Sequence, residues 1–169
     1  MSSDLTLVLR AVFLSLHVAG GVVGLLVGAF AIRPPFVRES RLLLRRAYAA
    51  ALVVLFVFLT ATVAIDWPSL QTTQQVIYVA LIGLAAFLVT RVWLAFRLAR
   101  LQVGGWEAKY MNHIYFTYIS LWEGLFIVGL FDLRAPGWLV AGIAVGVLVV
   151  GAGLFNNYKG RLTARNAAA

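Results

Sequence analysis

The chain has 169 residues, 63% hydrophobic and 12% charged, with a net charge of +8 and a mean hydropathy of +0.95. Soluble domains carry about 25% charged and about 45–50% apolar residues, so this balance excludes a water-soluble fold. The chain has no cysteine, which removes disulfides, iron–sulfur clusters, thiolate zinc sites and a cysteine nucleophile.

The first apolar stretch, Ala11–Ile32, has 22 residues without a formal charge, enough to cross a hydrocarbon core that needs about 20 as helix. Ala29-Phe30-Ala31 resembles a small-x-small cleavage site. The apolar run is too long and the charged segment before it too weak for a signal peptide, so a retained helix is expected. It carries Gly20, Gly24 and Gly28 at four-residue spacing, with Gly21 beside them. Small residues so spaced let helix backbones approach closely in lipid. His17 shares their face, because glycines follow it at i+3, i+4, i+7 and i+11.

The second stretch, Ala47–Ile65, is 19 residues and uncharged, with Thr60 in its second half. The third, Val76–Phe96, is 21 residues broken only by Arg91, near an end where a long side chain snorkels to headgroups. Arg97–Lys109 is the longest connection; it is expected to begin as a helical continuation at the interface and to turn at Gly104-Gly105. The fourth stretch, Tyr110–Phe131, has Glu123 as its only charge. The fifth, Pro136–Tyr158, is uncharged, with Pro136 suited to a first helical turn and a second small-residue pair at Gly142 and Gly146. The expected fold is all-α: an integral membrane five-helix transmembrane bundle forming a single domain over residues 1–169.

Charge bias sets its direction. Arg33–Arg46 holds five arginines, Arg97–Lys109 three basic residues and Lys159–Ala169 three, against Arg10 and Arg134 on the other side. The positive-inside rule then gives N-terminus out and C-terminus in, at the cell (plasma) membrane. Aromatic anchors agree, with Trp67, Tyr78 and Trp138 at the outer boundary and Tyr48, Trp93, Trp106, Tyr110 and Tyr158 at the inner one. Because the basic residues lie in short segments between apolar runs, they read as loops facing anionic lipid, not as a nucleic-acid surface.

A carboxylate inside a span needs a partner or a proton, which makes Glu123 the leading functional pointer. Asn112, Phe116 and Ser120 precede it at helical spacing and form a polar line on one face. At 1.5 Å per residue, His17 lies roughly 10 Å from the outer end of its helix, Glu123 roughly 13 Å and Thr60 about 9 Å. The matched depths predict an outer-half pocket around His17 and Glu123, with Ser120 and Thr60 near and Trp122, Phe126 and Phe13 as walls. His17 and Glu123 serve there either as interhelical glue or as ligand or proton-relay groups. His113 lies about 28 Å from the outer end, at the level of Asn112, Tyr110, Arg91 and Tyr48, a set that reads as a cytoplasmic headgroup cluster.

The two histidines differ in depth by roughly 18 Å, which excludes bis-histidine haem and leaves only a single-histidine or intersubunit haem, or a quinone. With no HxxxH or HExxH spacing, no metal site is expected. Three segments, Leu16-His17-Val18-Ala19-Gly20 through Leu25-Leu26-Val27-Gly28, Arg45-Arg46-Ala47-Tyr48, and Trp106 with Met111-Asn112-His113 and Tyr118-Ile119, resemble an uncharacterised family of small bacterial membrane proteins. Such proteins often carry a histidine in the first basic loop, where this chain has Glu39-Ser40-Arg41. The resemblance implies a helical membrane bundle and no activity.

The expected function is that of a non-enzymatic accessory subunit or binder of a lipid, quinone-like or other apolar molecule. The alternatives are a proton-coupled transporter or channel using the same pair, and a haem or quinone electron-transfer subunit. Expected partners are the lipid bilayer and a second copy or membrane-complex subunit, met through Gly20, Gly24 and Gly28 or through Gly142 and Gly146.

Overall fold

A computed structural model describes residues 3–31, 40–102, 104–133 and 135–167. The expectations placed on Arg33, Arg38, Glu39 and Arg134 fall outside the described residues. Five long helices follow in chain order: α1 (Ser3–Ala31), α2 (Ser40–Asp66), α3 (Thr72–Leu101), α4 (Trp106–Asp132) and α5 (Gly137–Ala167). A short 3-10 turn, Trp67–Ser69, separates α2 from α3, and the described residues contain no strand.

Among the described residues, four helices are long and apolar enough to cross a membrane, over Asp4–Ala31, Leu42–Ser69, Thr72–Leu101 and Trp106–Leu130. The apolar part of α5, Trp138–Leu154, is shorter. Large apolar side chains are exposed along these helices, among them Leu26, Val76 and Val149, each more than 60% exposed. Water penalises such faces and lipid does not, so these helices mark a membrane-embedded protein.

By its internal contacts the chain divides into two compact units, Met1–Trp93 and Leu94–Ala169, with the division inside α3. In the first unit α1 and α2 form an antiparallel pair whose rungs follow from helical spacing on α1. Arg10 Nε donates to Asp66 Oδ2 at 2.9 Å. The Phe13 and Phe58 rings meet with centroids 5.6 Å apart. His17 reaches Leu55, and Gly20 lies against Ala51, Val54 and Leu55. Gly24, Gly28 and Ala31 continue the buried face of α1, while Tyr48, Ala51, Leu52 and Val63 are buried on α2. A Cβ at Gly20 would stand 3.0 Å from the Leu55 backbone nitrogen and 3.1 Å from the Ala51 carbonyl oxygen. Neither backbone atom can give way without moving the helix, so only glycine allows this approach.

In the second unit Gly151 of α5 lies against Ile119 of α4, where a Cβ would stand 2.6 Å from Ile119 Cδ1. On α4, Tyr110, Ile114, Thr117 and Leu121 are buried at spacings of four, three and four, one face of a helix. The chain turns between α3 and α4 through two left-handed backbone positions. Gln102 has φ 47° and Gly105 φ 72°. The Gln102 N–H still bonds to the Leu98 carbonyl at 3.0 Å, which ends α3 with a left-handed cap of the kind glycine and asparagine favour.

Candidate functional site

The expected site residues on the first unit are tied into its own helices. His17 is half-buried, and its Nδ1 lies 3.0 Å from the Leu55 carbonyl oxygen of α2. A carbonyl only accepts, so Nδ1 carries the proton. The bond forms where it does because Gly20, one turn on, brings the two backbones together within reach of the imidazole. Thr60 is also internally engaged, its hydroxyl donating to the Phe56 carbonyl of its own helix at 2.8 Å. Phe13, expected as a pocket wall, is held against Phe58.

Glu123 is a different case. It is half-buried on α4, and among the described residues it makes no hydrogen bond and no ion pair. Ser120, one turn earlier, is buried, and so is Thr117, whose hydroxyl donates to the Ile114 carbonyl at 2.8 Å. Beside Glu123 runs a stripe of aromatic rings at four-residue spacing. Tyr118 meets Trp122 edge-on at 6.5 Å, and Trp122 stacks with Phe126 at 5.9 Å with planes 28° apart. Trp122 and Phe126 are 37% and 43% exposed, so part of each ring is open to an apolar neighbour. His17 and Glu123 belong to different units, and the hydrogen bond that His17 makes lies within its own.

A cleft of about 390 Å³ lies where α3 ends and α4 begins. Arg97, Lys109, Asn112 and His113 supply its polar walls, and Leu94, Leu98 and Leu101 its apolar ones. Of the expected headgroup cluster, Asn112 and His113 line this cleft. Tyr110 is buried on the same helix, with Trp106 edge-on to it at 6.3 Å. Tyr48 is buried on α2 and Arg91 belongs to the first unit, its guanidinium carbon 5.7 Å from the Phe87 ring centroid. Sequence reasoning missed Arg97 and Lys109 as site residues. Lys109 was within reach of it, since Asn112 and His113 follow at i+3 and i+4 on one helix face. Arg97 joins them only through the turn at Gln102 and Gly105, which spacing does not reveal.

The two glycine faces also differ. Gly20 is in close contact with α2, whereas a Cβ at Gly142 or Gly146 would meet no atom within 4 Å among the described residues. The described residues hold no group of three or more His, Asp or Glu side chains placed to bind a metal ion. Comparison with protein-family models, curated proteins and solved structures gives no match, so the functional reading rests on the chain's own chemistry.

Proposed function

We propose that the chain is a non-enzymatic multi-pass protein of the plasma membrane that holds an apolar small molecule, a lipid or a quinone-like compound, at Glu123. In this reading α5 is a fifth span, the N-terminus faces outward and the C-terminus lies in the cytoplasm, as the distribution of arginine and lysine directs. The observation that carries the proposal is the Glu123 carboxyl, inside an apolar helix with no bonding partner among the described residues and beside a half-open aromatic stripe. A carboxyl at that depth gains from any ligand that hydrogen-bonds to it, and an exposed indole face suits a flat or apolar ligand. This combination, an apolar wall with one polar handle, is how small-molecule sites fix orientation.

His17 is left out of the proposed site, because its imidazole already serves α2. The open glycines Gly142 and Gly146 are the proposed face for a second copy or a partner subunit.

The test is retention of co-purified apolar molecules. Organic extracts of the detergent-purified protein are compared by mass spectrometry for wild type and Glu123→Gln. Binding at Glu123 predicts a species near one per chain in wild type that falls at least tenfold in the variant. A Glu123-dependent proton flux in liposomes under a pH gradient, without such a species, replaces binding by proton transfer.

A further inference from the structure

The cleft between the end of α3 and the start of α4 is a second site, independent of Glu123. Its volume of about 390 Å³ falls in the range of small-ligand sites, about 300–1,000 Å³. Two cations, Arg97 and Lys109, share it with the amide of Asn112 and the imidazole of His113, and none of the described residues lining it is acidic. A guanidinium fork with an ammonium, an amide and an imidazole matches the several acceptor oxygens of a phosphate.

The remaining wall decides between a free anion and a lipid. Leu94, Leu98 and Leu101 of α3 give the cleft an apolar wall on either side of Arg97 in the sequence, opposite the polar groups of α4. Inorganic phosphate has no use for such a wall, whereas a glycerolipid places its glycerol and first acyl carbons there. The cleft also sits where two membrane-length helices end and basic residues gather, the level at which headgroup phosphates lie. We propose that this cleft binds the phosphate group of an anionic phospholipid, with Arg97 and Lys109 on the phosphate oxygens, Asn112 and His113 beside them, and the leucines against the lipid backbone.

Full-length protein in a neutral detergent is titrated with dioctanoyl phosphatidylglycerol and, separately, dioctanoyl phosphatidylcholine, and bound lipid is counted by native mass spectrometry. The expected preference for the anionic lipid is about twenty-five-fold, a factor of about five from each of the two basic side chains. Arg97→Gln with Lys109→Gln abolishes the preference. Arg100→Gln, which removes an exposed charge of the same helix outside the cleft, preserves it, and so does Glu123→Gln. Equal binding of the two lipids by wild type overturns the proposal. So does a preference that survives the double substitution, or one that Arg100→Gln lowers as much, since either reports bulk charge. Displacement of the lipid by inorganic phosphate at equal concentration assigns the cleft to a free anion and overturns the lipid.

Discussion

The α1–α2 pair and α4 both carry polar side chains into apolar surroundings, and they satisfy them in opposite ways. On α1 two polar groups end on α2: Arg10 on the Asp66 carboxylate and His17 on the Leu55 carbonyl. Close approach at Gly20 makes that possible, because an imidazole reaches a neighbouring backbone only when the backbones are near. On α4 Glu123 makes no hydrogen bond among the described residues, and the stacked rings of Trp122 and Phe126 lie beside it along the helix. An ionisable residue inside a membrane helix therefore has two meanings. Beside a glycine face it is a helix–helix contact; beside an open aromatic stripe it is the binding group that we propose.

The contrast breaks most visibly at the glycines. Gly20→Leu forces a side chain into the α2 backbone and is expected to destabilise the protein by about 2–3 kcal/mol, the upper range for overpacking. Gly146→Ala, with nothing near an added Cβ, stays within about 0.5 kcal/mol. Thermal unfolding in detergent reads both, and equal losses would erase the distinction between the two glycine faces. Gly151→Ala is intermediate at about 1 kcal/mol, because the atoms it meets belong to the Ile119 side chain, which can shift. Ile119→Ala in the same chain should recover part of that loss.

Smaller effects sharpen the reading of the polar rungs. His17→Phe deletes one interhelical hydrogen bond, and bonds of this kind average about 0.6 kcal/mol in membrane proteins. The Arg10–Asp66 pair is half exposed on the arginine side, so its coupling energy in a double-mutant cycle should be a few tenths of a kcal/mol and fall with added salt.

The helical membrane class was legible in the sequence because apolar runs of about 20 residues have few other uses in a protein. The helices extend beyond those runs: α1 begins at Ser3 and α3 continues to Leu101, since polar residues at a span's ends remain helical while leaving the hydrocarbon. That extension carries Arg97 to the cleft. Glu123 and His17 stood out as lone ionisable residues in apolar helices, but their surroundings did not. Whether an imidazole meets a carbonyl depends on interhelical distance, which Gly20 permits and the sequence alone does not measure. The left-handed Gln102 was equally hidden, because its side chain type does not announce that conformation.

The most direct measurement of the central claim crosses the two residues. Unfolding temperature and retained apolar ligand are measured together for wild type, His17→Ala and Glu123→Gln, each purified alike. His17→Ala is expected to lower the unfolding temperature and keep the ligand, while Glu123→Gln loses the ligand at least tenfold. Wild-type retention in Glu123→Gln would contradict the claim.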